Sequence, residues 1–119
     1  MKENAIKNKS FAFALRIVKA YQFLCEQKKE FVLCKQMLRS GTAIGALVRE
    51  AEQAESPADF VHKLAIALKE ANETEYWIEL LMQSNYLDDA SSNSLKADLL
   101  ELLKLLTSII KTTKQNNKR

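Results

Sequence analysis

Apolar residues recur at steps of three and four along most of this chain, the spacing of amphipathic helices rather than strands. The pattern predicts four helical segments at about 10–28, 32–54, 58–86 and 92–114, with ends uncertain by about 2–4 residues. In the third, Phe60, Leu64, Ala67, Ala71, Thr74, Ile78 and Leu81 alternate those steps into a heptad-like seam. Leu95, Leu99, Leu102, Leu106 and Ile109 form a second seam in the fourth. In the first segment Arg16, Lys19, Gln22 and Glu26 share about a third of the helical wheel, while Phe11, Leu15, Ile17, Val18, Tyr21, Leu24 and Cys25 fill much of the rest. That helix is expected to be buried on more than one side.

The sharpest boundary is the corner at Ser56. Serine is a good N-cap, Pro57 suits the first helical position because its missing N–H has no partner there, and Asp59 meets the positive end of the helix dipole. Ser91 to Ser94 offer cap chemistry before the fourth segment. Short connections between long helices favour antiparallel neighbours. The expected fold is therefore all-α, an antiparallel up-down-up-down four-helix bundle in one domain over residues 1–119. A flexible basic tail from Lys114 to Arg119 is expected to fray for lack of apolar residues.

Gly41 and Gly45 fall inside the second segment, where each disfavours helix by up to about 1 kcal/mol relative to Ala. Lying four apart on one face, they are read as positions of close helix packing. The competing reading is a break at Gly41 with Thr42 capping a new helix, which would require positive φ at Gly41.

Composition supports helices. The 119 residues are 47% hydrophobic, enough for a core, and include only two glycines and one proline. Cys25 and Cys34 are the only cysteines. They flank the first predicted hairpin, so they either pair or serve as small buried thiols, and a reducing compartment favours the second reading. A highly charged N-terminus and the absence of any uncharged apolar run of about 18 residues predict a cytoplasmic protein without a membrane partner.

The formal net charge of +3 conceals segregation. Residues 1–49 carry ten bases and three acids, residues 50–103 three bases and twelve acids, and residues 104–119 five bases. An up-down-up-down bundle would set Lys2, Lys7, Lys9, Lys111 and Lys114 near Glu50, Glu52, Glu55 and Asp59, and Lys28, Lys29 and Lys35 near Asp88 and Asp89. Mutual neutralisation is one reading of this pattern. The other is that Arg16, Lys19, Lys35, Arg39 and Arg49 form a positive surface, repeated around an oligomer, that neutralises phosphates. On the third segment Ile66, Trp77 and Leu80 form a flank about 100° from the main seam, an apolar surface expected to bind another copy.

Catalytic chemistry is not visible. His62 is the only histidine and has no acid three residues before it, so the Glu-x-x-His pairs of a di-iron bundle are missing. No nucleophile elbow accompanies the cysteines, and neither glycine is followed by the Lys-Ser/Thr ending of a phosphate loop. The sequence therefore predicts no catalytic residues, no metal and no cofactor.

Three stretches carry a family likeness: Arg39-Ser40-Gly41-Thr42-Ala43-Ile44-Gly45-Ala46, the corner from Ser56 to Phe60, and Lys63-Leu64 onward through Ala67-Leu68-Lys69-Glu70-Ala71-Asn72-Glu73-Thr74-Glu75-Tyr76-Trp77-Ile78-Glu79-Leu80-Leu81. They resemble the small bacterial four-helix-bundle family that includes proteins encoded in intervening sequences of 23S rRNA genes. More distant relatives include the accessory variability protein of diversity-generating retroelements. The resemblance implies a ring-shaped homopentamer with nucleic acid as partner. Leu47 stands where relatives often carry Asn, a departure that puts any function of that amide in doubt here. Together these readings predict a non-enzymatic, homo-oligomeric bundle that binds structured RNA or other nucleic acid through backbone electrostatics as an accessory factor. The alternative is a scaffold that binds a partner protein and no nucleic acid.

Overall fold

The structure, a computed structural model, describes residues 2–117, with side chains from residue 4 onward. It contains α1 (Lys2–Gln27), α2 (Leu33–Ala51), α3 (Pro57–Gln83) and α4 (Asp89–Asn117), with no strand among the described residues. Each helix packs against its neighbours in sequence, and α4 closes the ring against α1, giving an all-α four-helix bundle 52 × 22 × 20 Å. Cross-links between helices run in opposite registers: Lys9 and Arg16 of α1 meet Glu101 and Asp98 of α4, in that order. Neighbouring helices are thus antiparallel.

The core follows the seams. Phe13, Ile17 and Leu24 from α1, Met37 and Ile44 from α2, Leu64, Ile78 and Leu81 from α3, and Leu99, Leu102 and Leu106 from α4 are fully buried. Removing such side chains from water is the main stabilisation of a bundle of this size. A polar contact between side chains of two helices lies within it: Thr74 Oγ1 of α3 is 2.9 Å from Ser40 Oγ of α2.

Several helix ends differ from the expected positions. α1 starts at Lys2 rather than near residue 10, because the buried face continues upstream through Ser10 to Ile6, which is 2% exposed. α2 ends at Ala51, where the tight turns Gln53 N–H to Glu50 O (3.0 Å) and Ala54 N–H to Ala51 O (3.1 Å) take over. α3 ends at Gln83 because Asn85 turns left-handed, with φ 66°. The Tyr86 N–H returns to the Leu81 carbonyl at 2.9 Å, and the Asn85 N–H to Met82 at 3.0 Å. This is a Schellman closure. α4 starts early because Asp88, rather than a serine, caps it by accepting the Ser91 N–H at 2.6 Å. The expected frayed tail is helical through Asn117, since Lys, Thr and Gln continue a helix without breaking it; Lys118 and Arg119 lie outside the described residues.

At the corner, Ser56 Oγ accepts the Asp59 N–H at 3.0 Å while Asp59 Oδ2 accepts the Glu55 N–H at 3.2 Å, so acid and cap satisfy opposite ends of the same turn. α2 runs unbroken through both glycines, neither of which has positive φ. A Cβ on Gly41 would lie 2.9 Å from both Cγ atoms of Ile17, and one on Gly45 would lie 3.4 Å from the Ser10 carbonyl oxygen. Both glycines thus face α1, and their missing side chains set how closely α1 and α2 approach.

α1 is not buried on more than one side within this chain. Only α2 and α4 flank it, so Phe11 and Leu15 remain 51% exposed and Val18 36%. These three lie on a common face nearly opposite Phe13, Ile17 and Leu24.

Candidate nucleic-acid interface

The five cations singled out from sequence do not converge. Arg16 faces α4, where its guanidinium donates to Asp98 Oδ2 at 2.7 Å and to Ser94 Oγ at 3.0 Å. Arg39 faces α3, bridging Glu70 at 3.2 Å and Glu73. Arg49 of α2 stacks over the Phe11 ring of α1, 5.4 Å from its centroid, a cation–π contact. Lys19 and Lys35 are exposed, and neither forms an ion pair with a described carboxylate.

Much of the segregated charge closes the seams between helices. Lys7 reaches Glu52 at 3.4 Å across α1 and the end of α2, as the bundle geometry predicts for that end. Lys9 pairs with Glu101 at 3.2 Å instead of with the acids of the corner. Lys63 meets Glu50 at 3.4 Å between α3 and α2, and Lys96 pairs with Glu79 between α4 and α3. At the opposite end Asp88 is held below the usual carboxylate range, first by hydrogen bonding from Ser91 and then by the charge of Lys28. Partly exposed pairs like these each stabilise little, but their placement favours one helix arrangement.

Arg39 and Trp77, assigned by sequence to different surfaces, belong to one cluster. Glu73 accepts both the Arg39 guanidinium and the Trp77 indole N–H, the latter at 2.9 Å. Those two hydrogen bonds, Trp77 first, lower the Glu73 pKa, and the Glu73 contact raises that of Arg39. Tyr76 packs edge-on against Trp77, with centroids 5.0 Å apart and planes at 75°. Trp77, Leu80 and Ile66 are each half-buried. The larger exposed apolar groups are Phe11, Leu15, Val18, Phe23, Phe31, Val32, Tyr76 and Leu100. Phe11, Leu15 and Val18 belong to the broad apolar side of α1 that the sequence pattern shows, but the pattern did not tell that this face stays uncovered within the single chain.

The turn between α1 and α2 holds a group that the sequence pattern did not single out. Lys29 is left-handed, φ 54°, and the Glu30 N–H returns to the Leu24 carbonyl at 3.0 Å. This turns the buried Glu30 carboxylate onto the start of α2, where it accepts the N–H groups of Val32 (3.1 Å), Leu33 (2.8 Å) and Cys34 (2.8 Å). Burial alone would raise its pKa, but the Leu33 and Cys34 N–H groups, the Cys34 thiol and the Val32 N–H together hold it below the ordinary value. The sequence signal was weak because a glutamate three residues before a helix is not a usual cap.

Among the described residues, no three His, Cys, Asp or Glu side chains gather in a way that could hold a metal ion, and no helix is long and apolar enough to cross a membrane. A shallow groove of about 320 Å³ between α1 and the start of α4 is lined by Arg16, Lys19, Phe23, Asp88, Ser91 and Leu95. Its mixed charges and the pairing of Arg16 leave Lys19 as its available cation.

Residues 2–108 match the model of the 23S rRNA-intervening sequence protein family. The chain is also similar to a crystal structure of a protein of unknown function from the S23 ribosomal protein family of Bacteroides thetaiotaomicron VPI-5482. The two share 59% sequence identity over 93% of this chain and 99% of that one, with a TM-score of 0.92. No curated protein matches the chain.

Proposed function

This chain belongs to the 23S rRNA-intervening sequence protein family, and from that premise we propose that it is a non-enzymatic bundle that assembles with copies of itself and binds structured RNA through the phosphate backbone. The observation that carries the reading is the outer surface of the α1–α2 hairpin. Phe11, Leu15 and Val18 form an exposed apolar stripe, Lys19 lies one turn from Leu15, and Arg49 sits over Phe11. Lys29 and Lys35 are exposed at the tip, without ion pairs to described carboxylates.

An exposed apolar stripe favours contact between copies, and closed symmetry, as in the pentamer that the family likeness implies, would repeat the edging lysines as a positive band. Phosphate neutralisation by such a band releases counterions and reads shape and charge rather than bases. Phe31 and Val32, 52% and 71% exposed at the same tip, favour a second reading in which the hairpin docks a partner protein. Filter binding of structured RNA across a salt series separates the two. Affinity that falls steeply with salt and shows little sequence preference supports RNA binding, and no binding at low salt leaves the scaffold.

A further inference from the structure

The turn that carries Glu30 also brings together the two cysteines. Cys25 Sγ, on the last turns of α1, lies 3.8 Å from Cys34 Sγ, on the first turn of α2. Cys34 is completely buried and its thiol donates to the Glu30 carbonyl oxygen at 3.0 Å. Cys25 is half-buried and so is the more accessible of the two. Closing the distance to the ~2.05 Å of a disulfide requires about 1.8 Å of movement shared between two side-chain ends.

We propose that Cys25 and Cys34 are a peroxide-responsive dithiol, with Cys25 the attacking sulfur and Cys34 the resolving one, whose disulfide staples α1 to α2 beneath the lysine-bearing tip. The Cys25 thiolate attacks one oxygen of hydrogen peroxide; the O–O bond breaks, hydroxide leaves and takes up a proton to become water, and Cys25 carries a sulfenic acid. The Cys34 sulfur then attacks the Cys25 sulfur, loses its own proton and expels the sulfenic hydroxyl as a second water. Two thiols are oxidised to one disulfide while one peroxide is reduced to two waters.

The order of events follows from the surroundings. Burial, first, then hydrogen bonding to Glu30 and Cys25, pushes the Cys34 thiol up to about 12, so it stays protonated and does not attack peroxide first. The Tyr21 phenol, one turn before Cys25, is itself pushed up by hydrogen bonding to the Cys25 thiol, which places a polar group beside the attacking sulfur. Glu30 holds the backbone of Cys34 in place while its sulfur moves.

The test uses the full chain treated with hydrogen peroxide, freed of peroxide and then denatured in urea, which exposes both sulfurs, in the presence of N-ethylmaleimide. The expected product loses two hydrogen atoms in intact mass, takes up no maleimide and yields a non-reducing peptide map that joins Cys25 to Cys34 within one chain. Dithiothreitol should restore both thiols. The oxidised protein should melt about 10 °C higher, since the bond constrains the unfolded chain. Cys34→Ser should stop at a sulfenic acid on Cys25 that dimedone traps, and Cys25→Ser should leave Cys34 unreacted. Two maleimides taken up on denaturation after peroxide, by a chain whose helical circular dichroism was native during the peroxide step, would overturn the proposal. So would disulfides found only between chains, or a Cys25→Ser variant whose Cys34 reacts as fast as the wild type.

Discussion

Thr74 and Ser40 meet hydroxyl to hydroxyl, 2.9 Å apart and wholly buried, between α3 and α2. Each also has a carbonyl of its own helix within reach: Glu70 O lies 2.7 Å from Thr74 Oγ1 and Met37 O lies 3.4 Å from Ser40 Oγ. Sliding α3 along α2 would separate the pair while leaving apolar contacts available, so this contact helps to select one register. Thr74→Val should lower stability by about 1–2 kcal/mol in urea unfolding, because Ser40 keeps only its long contact to Met37. Adding Ser40→Ala should recover part of that loss. A double variant no more stable than Thr74→Val would remove the pair from the account of register.

Glu30 links stability to pH. Its folded pKa lies below its ordinary value of 4.5, so its stabilisation is fully present above the unfolded pKa and is lost as pH falls through the lower, folded value. Glu30→Gln, which keeps the shape and removes the charge, should lose about 1 kcal/mol near neutrality. The difference from wild type should narrow below pH 4.5. Urea unfolding of both proteins between acid and neutral pH measures this, and a constant difference across the range would contradict the assignment.

The two glycines should respond differently to alanine. Gly41→Ala places a Cβ 2.9 Å from the Cγ atoms of buried, β-branched Ile17, which has little freedom to turn aside. A loss of about 1–3 kcal/mol is expected despite better helix propensity. Gly45→Ala meets Ser10 O at an ordinary 3.4 Å and should be close to neutral, while Gly45→Leu should disrupt the α1–α2 contact. Thermal unfolding of the three variants is the measurement, and an equal response of Gly41→Ala and Gly45→Ala would contradict the packing read from the structure.

Assembly should depend on α1 more than on α3. Leu15 is half exposed in the single chain, so Leu15→Glu should retain helicity while shifting light scattering coupled to gel filtration toward smaller species. Leu80→Glu affects a half-buried residue and should reduce stability as well. A chain that is monomeric at micromolar concentration would remove self-assembly from the proposed function.

The salt dependence of RNA binding should distinguish paired from unpaired cations. Arg39 is engaged by Glu70 and Glu73, so Arg39→Gln should leave the slope of log affinity against log salt nearly unchanged. Replacing Lys19, Lys29 and Lys35 together by Gln should flatten it by roughly 2–3, since each phosphate contact contributes about 0.7–0.9. The reverse ranking would move the interface to the α2–α3 side.

The sequence by itself determined the four helices, their apolar seams and the corner at Ser56, whereas the backbone at Gly41, which lacks positive φ, decided that α2 passes unbroken through Gly41 and Gly45. The signals for helices, seams and corner lie within a turn or two of chain, where periodicity and capping act directly. Only the tertiary structure decided that Arg16 meets Asp98, 82 positions away, and that Arg39 and Trp77 share Glu73. It likewise placed the second apolar face of α1 toward solvent, since the number of neighbours beside a helix is a property of the ring and not of the helix. The approach of Cys25 to Cys34 depended on a left-handed Lys29 and a carboxylate cap at Glu30, a turn whose geometry neither residue type announces. Local preference specifies elements, whereas contacts between distant residues depend on which faces the packed helices bring together.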